Sequence, residues 1–191
     1  MQWQISGELM GKRTNYERKP RDFYSTPVEA VKPLLESFSE DWEGPLLFCE
    51  PCAGNGALVG HLEGSNPLVC ILAMDIEPQQ DWIVKGDASL LKEEHLQNCD
   101  MIITNPPFSW GLLKPLLDRW LPLIPCALLL PADFMHNLRF QEYLKYCNKI
   151  ISIGRVKWIE GSKMSGMENY CWYFFDPHKT EEVCPVFEGR K

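Results

Sequence analysis

Long apolar runs are missing from this sequence. Those present are short, residues 68–74 and 127–130 among them. Each suffices for a buried strand and falls far short of the roughly 20 residues that span a bilayer. Residues 1–10 lack a charged stretch followed by an apolar one, so no signal peptide is expected. Also missing is a net positive charge. The formal charge is −7, which argues against tight non-specific binding to phosphates. Cysteine is present, eight times, but without a framework. Only Cys49 and Cys52 are closely spaced, and the second pair that a zinc site needs is absent. A redox pair is disfavoured too, because Cys49 points from a strand into the core. His61, His95, His136 and His178 show no ligand spacing, so no metal is expected. There is no internal repeat and no low-complexity segment. The scattered cysteines suit buried free thiols in a reducing compartment, which makes the expected location cytoplasmic.

What is present is a globular composition. Hydrophobic residues make up 45% of 191 positions, enough for one domain with a real core. Charge is uneven along the chain. Lys12, Arg13, Arg18, Lys19 and Arg21 crowd the beginning, and Lys145, Lys149, Arg155, Lys157 and Lys163 populate the last third. Each cluster reads equally as solvated surface or as a contact to phosphates. Residues 1–21 read as a basic, flexible segment and 179–191 as a polar tail.

Between them the pattern alternates. Thr26 and Pro27 suit an N-cap and first helical position, opening a helix whose apolar face is Val28, Val31, Leu34, Leu35 and Phe38. Strands are predicted at 46–50, 69–75, 82–85, 101–104 and 127–130, with helices at 55–62, 90–96, 112–121 and 134–146. Pro33 and Pro115 are expected to shorten or interrupt their helices. Such alternation implies a parallel sheet covered by helices on both faces. The segments 149–158 and 170–175 read as strands with no helix between them, hence an antiparallel hairpin.

Ligands of such sheets sit beyond the carboxyl ends of the strands. Four unusual segments converge there: 50–56, 75–78, 105–108 and the loop 159–169. Glu50-Pro51-Cys52-Ala53-Gly54-Asn55-Gly56 ends a strand in an acid and turns through glycines into a helix, whose N–H groups face a ligand. The Lys-Ser/Thr pair of a phosphate loop is absent. Asp75-Ile76 follows about 20 residues later, the spacing of an acid that accepts from both ribose hydroxyls. A strand-capping acid is the plainer reading of Asp75 alone. Asp87-Ala88 repeats the theme. The third segment, Asn105-Pro106-Pro107-Phe108, is the most specific. Its prolines remove two N–H donors and leave a corner of carbonyls beside one amide and one ring. Asn105 Oδ1 and the Pro106 carbonyl can accept the two hydrogens of an exocyclic amine, and Phe108 can stack on its base.

Together these segments resemble the class I S-adenosylmethionine-dependent methyltransferases that act on amino groups. Asp22-Phe23-Tyr24-Ser25-Thr26-Pro27 resembles the cofactor motif that precedes the glycine loop in DNA adenine methyltransferases of gamma-like motif order. The size resembles the small phage and prophage enzymes, which implies a bacterial or phage-infected cell. The resemblance runs from Asp22 to about Phe175 and implies a Rossmann-like α/β fold with a mostly parallel seven-stranded sheet. It makes 22–178 the catalytic domain and leaves no separate target-recognition domain. Tyr24 and Thr26 would hold the methionine end of S-adenosylmethionine, Thr26 through the carboxylate. Glu50, Pro51, Ala53, Gly54 and Gly56 would line methionine and ribose, with Asp75 and Ile76 at the ribose and Asp87 and Ala88 at the adenine. Asn105, Pro106, Pro107 and Phe108 would form the catalytic corner, Asn105 also touching the cofactor. Lys12, Arg13, Arg18, Lys19, Arg21, Trp158 and Lys163 would face nucleic acid. Of Trp158, Met164 and Met167, any one can pack against the flipped base.

The activity so implied is methyl transfer to N6 of adenine in DNA, with S-adenosylhomocysteine as product, no metal, a short or relaxed site, and a monomeric or homodimeric enzyme. An RNA adenine methyltransferase is the nearest rival. A protein glutamine methyltransferase also uses Asn-Pro-Pro, usually followed by tyrosine rather than phenylalanine. A non-catalytic partner of the same fold is disfavoured by the intact Asn105.

Overall fold

The computed structural model describes residues 24–39, 44–64, 68–159, 166–178 and 185–189. Eight strands form one sheet: β1 (Leu46–Glu50), β2 (Leu68–Asp75), β3 (Val84–Lys85), β4 (Met101–Thr104), β5 (Cys126–Pro131), β6 (Cys147–Arg155), β7 (Asn169–Phe175) and β8 (Val186–Glu188). Their spatial order is β3-β2-β1-β4-β5-β7-β6-β8. Only β7 runs antiparallel to its neighbours β5 and β6. The expected parallel sheet with a C-terminal antiparallel hairpin is therefore present. The strand count is eight rather than seven. The extra strand, β8, lies in the segment read as a polar tail and pairs parallel with β6.

Strands β4 and β5 are buried along their whole length, as expected where helices cover both faces. Alternate residues serve the two layers. Ile103 and Leu129 pack with Val31 and Leu34 of α1 (Val28–Ser39) and with Leu58 and Leu62 of α2 (Ala57–Glu63). Ile102, Leu128 and Leu130 face the other way, onto Leu113, Leu117 and Trp120 of α3 (Trp110–Trp120). Buried aromatics with polar tips fasten the layers to the sheet. Trp172 of β7 donates Nε1–H to the Ala30 carbonyl at 2.7 Å, and Trp120 donates to the Ala88 carbonyl at 3.0 Å. A large apolar side chain so buried contributes roughly 1.5–3 kcal/mol.

Several local expectations are corrected. Pro33 and Pro115 lie inside continuous helices, because packing onto the sheet outweighs the one hydrogen bond each proline removes. Thr26 is not the N-cap of α1. The helix begins at Val28, and the Thr26 hydroxyl is engaged by Asn105 instead. The predicted helix at 134–146 is three short pieces, 3₁₀ turns at Ala132–His136 and Leu138–Phe140 followed by α4 (Gln141–Leu144). The predicted helix at 90–96 is two 3₁₀ turns, Ala88–Leu90 and Glu93–His95.

Candidate active site

From β1 the chain moves outward to β2 and β3, then returns to β4 on the other flank of β1. That reversal opens a crevice beyond the carboxyl ends of β1 and β4. A cavity of about 520 Å³ lies there, within the usual range for small-molecule sites. It brings together most of the residues singled out from sequence. Tyr24, Thr26, Glu50, Pro51, Ala53 and Gly54 line it, as do Asp75, Ile76, Asp87, Ala88, Asn105 and Pro107. Gly56, Pro106 and Phe108 are outside the lining. Lys12, Arg13, Arg18, Lys19, Arg21 and Lys163 lie outside the described residues.

The glycine loop takes its shape from β2. Gly54 N–H donates to Asp75 Oδ2 at 2.8 Å, and Glu77 N–H donates to Asp75 Oδ1 at 2.8 Å. The carboxylate is thus oriented by two main-chain donors. Gly56 has a left-handed backbone with φ 79°, and a Cβ there would collide with the Trp82 ring. Its role is to shape the turn and admit Trp82, rather than to wall the cavity. Asp87, which lines the cavity, takes Ser89 N–H and Oγ–H on one oxygen, Oδ1.

At the base of the cavity Glu50 is 1% exposed. Its Oε1 accepts from the Thr104 hydroxyl at 2.6 Å, and its Oε2 has no partner among the described residues. Burial pushes its carboxyl up to about 8, reinforced by the negative charge of Asp75. Hydrogen bonds from Thr104 and from the Asn105 main chain offset part of that rise. Beside it, Asn105 donates Nδ2–H to Thr26 Oγ1 at 3.1 Å. Asn105 Oδ1 is buried and accepts nothing from the described residues. An unpaired buried acceptor is costly unless a ligand supplies the donor. Two such oxygens, on adjacent residues of one cavity, mark a place built for donors or cations.

Phe108 turns into a cluster of rings. Its centroid lies 6.2 Å from Trp158 and 5.6 Å from Tyr170, and Trp158 lies 6.1 Å from Tyr24. Tyr24 links that cluster to the cavity wall, so Trp158 stands beside the Asn-Pro-Pro-Phe corner. Cys52 also lines the cavity, and burial raises its thiol well above the ordinary value.

Sequence reading missed the opposite wall: Gly111, Leu112, Pro115 and Leu116 of α3. The Pro115 ring and Leu112, spaced three apart on one helix face, were the available signal. It was masked by the expectation that Pro115 breaks the helix.

This strand order, with one reversed strand and a site at the β1–β4 switch, has known counterparts. The fold is that of the class I methyltransferases. A Listeria monocytogenes protein assigned to the class I S-adenosylmethionine-dependent methyltransferases matches with a TM-score of 0.58 at 9% identity, covering 90% of this chain and 67% of its own. A Pyrococcus horikoshii protein assigned as an RNA methyltransferase matches at 0.57 and 17% identity, over 80% of this chain and 86% of that one. The methyltransferase subunit of a type I restriction-modification system from Streptococcus thermophilus matches at 0.56 and 11% identity, over 81% of this chain. This chain spans only 44% of that subunit. At such identities the likeness is one of fold. No protein-family model and no curated protein sequence matches the chain.

Proposed function

We infer that the protein transfers a methyl group from S-adenosylmethionine to the N6 amine of adenine in DNA. The observation that carries this reading is the unpaired, buried Oδ1 of Asn105 in the Asn-Pro-Pro-Phe corner, a residue that lines the crevice. The lining fits the cofactor. Glu50 Oε2 offers an unpaired carboxyl oxygen to a cationic group, the held Asp75 carboxylate suits a ribose diol, and that of Asp87 suits an adenine amine. When bound, S-adenosylmethionine supplies an electrophilic methyl on a sulfonium.

The chain's own part is positioning and fixed dipoles. Asn105 Oδ1 accepts one hydrogen of the target amine and draws its nitrogen toward tetrahedral geometry. The Pro106 carbonyl accepts the other. The nitrogen lone pair is then free for in-line attack, in which an N–CH3 bond would form as the S–CH3 bond breaks, S-adenosylhomocysteine would leave with the bonding pair on sulfur, and the surplus amine proton would pass to solvent. A base must leave its stack to reach this corner, at a cost of a few kcal/mol. The partly exposed rings of Tyr24, Phe108 and Trp158, backed by the buried Tyr170, offer stacking surface that offsets it. With base contacts each giving about 1–3 kcal/mol of discrimination, the few loops around this cavity suit a short or relaxed site.

The test is incubation with methyl-labelled cofactor and, separately, duplex DNA, single-stranded DNA, RNA and protein extract. Label in DNA as N6-methyladenine is expected. Label confined to RNA or to protein would move the assignment to that substrate, and modification of cytosine alone would overturn the adenine reading.

A further inference from the structure

Buried polar side chains are few in this protein. Among the described residues only Thr26, Glu50 and Thr104 are buried and polar or charged. All three meet at the catalytic corner. Thr104 holds Glu50, and Thr26, from the segment before α1, receives the Asn105 amide. The two contacts differ in consequence, because an amide side chain has a donor end and an acceptor end.

An amine presents N–H donors, so only the oxygen of Asn105 can engage it. Asn105 Nδ2 is bonded to the buried Thr26, which leaves Oδ1 as the end of the amide without a partner among the described residues. A buried N–H without an acceptor is penalised about as heavily as a lost hydrogen bond. Thr26 Oγ1, at 3.1 Å, is the acceptor that removes this penalty. Thr26 is itself held in place. Ser25 Oγ, one residue earlier, accepts from Asn55 of the glycine loop at 3.2 Å, and Ala30 in the first turn of α1 is tied to Trp172. The segment thus spans the glycine loop and the catalytic corner.

We propose that Thr26 is a positioning residue for the reaction: its hydroxyl oxygen, by accepting from Asn105 Nδ2, sets the amide so that Oδ1 faces the reacting amine. This rests on the methyl-transfer reading and is separate from any contact Thr26 makes with the cofactor. The valine variant keeps the branched shape and removes the acceptor; the serine variant keeps the acceptor.

The test pairs kinetics with a measurement on the cofactor-free protein. In Thr26→Val the single-turnover methylation rate at saturating S-adenosylmethionine is expected to fall roughly ten- to a hundredfold. In Thr26→Ser it is expected to stay within about threefold with a thermal midpoint near that of the parent, whereas Thr26→Val, which strips the amide N–H of its acceptor, should remain folded with a midpoint several degrees lower. By NMR the Asn105 side-chain NH2 pair, assigned by its loss in Asn105→Ala, should show one slowly exchanging proton in the parent and in Thr26→Ser but not in Thr26→Val. A Thr26→Val rate restored by excess cofactor would overturn the proposal and leave Thr26 a cofactor ligand only. Undiminished protection of the Asn105 proton in Thr26→Val would overturn it as well. Failure of the parent protein to methylate any substrate would sink the functional reading, while the exchange measurement would still decide what Thr26 does to Asn105.

Discussion

In the proposed reaction single atoms carry the chemistry. Asn105→Ala removes the side-chain oxygen proposed to accept from the amine. It should retain cofactor affinity by calorimetry and lose roughly 10²–10³-fold in turnover, the usual cost of one preorganised dipole. Glu50 gives a pH signature. Its carboxyl rises from an ordinary 4.5 to about 8 in the folded protein. Between those values the native state holds a proton that the unfolded chain has released, so stability falls as pH rises through that window and levels off above it. Glu50→Gln does not titrate, so its thermal midpoint relative to the parent should climb between pH 5 and pH 8; a constant offset would contradict the assignment. The carboxylates at strand ends and the Asn-Pro-Pro-Phe corner were legible in the sequence because their chemistry is carried by residue type and by position after a strand. The Thr26–Asn105 contact was not, since it joins residues 79 positions apart, and no local pattern reports such a pairing. The sequence offered Thr26 an N-cap role that its actual partner overrode.

Elements follow the same division. Strands β1, β4 and β5 announce themselves as apolar runs bounded by turn residues, because burial on both faces demands such runs; β2 is an apolar run as well, although Val69 and Ile71 are exposed. The segment around Asn137 shows where periodicity misleads. Apolar residues at helical spacing suggested one helix, but the Asn137 backbone is extended, at φ −81° and ψ 127°, and Phe140 and Tyr143 still reach the core. β8 left no signal at all. Val186 and Phe187 are both exposed, so the strand is held by main-chain pairing that side-chain patterns do not encode. Glycine at position 56 is required at this scale: Gly56→Ala combines a left-handed backbone with a collision against Trp82. A loss of about 1–2 kcal/mol is expected from the backbone alone, read as a lower thermal midpoint. Adding Trp82→Ala should recover only the part due to the collision.

The whole molecule carries a net charge of −7, yet its proposed substrate is a polyanion. The basic residues must therefore act locally. Replacing Lys12, Arg13, Arg18 and Lys19 with neutral residues should weaken binding to all DNA sequences alike and flatten the dependence of log affinity on log salt. An unchanged slope would assign those residues to solvent. The fold also dictates when the site comes into being. The indole of Trp172 grips the carbonyl of Ala30 across 142 residues of sequence, and β7 sits between β5 and β6. A ribosome that has released β1 through β5 has made the glycine loop and the Asn-Pro-Pro-Phe corner, but not the strand that anchors the start of α1. With the proposed function, catalytic competence would therefore arrive late in synthesis, when the β6–β7 hairpin joins the sheet and Trp172 anchors the start of α1. A nascent or truncated chain ending before Trp172 should bear the motif residues and still be inert.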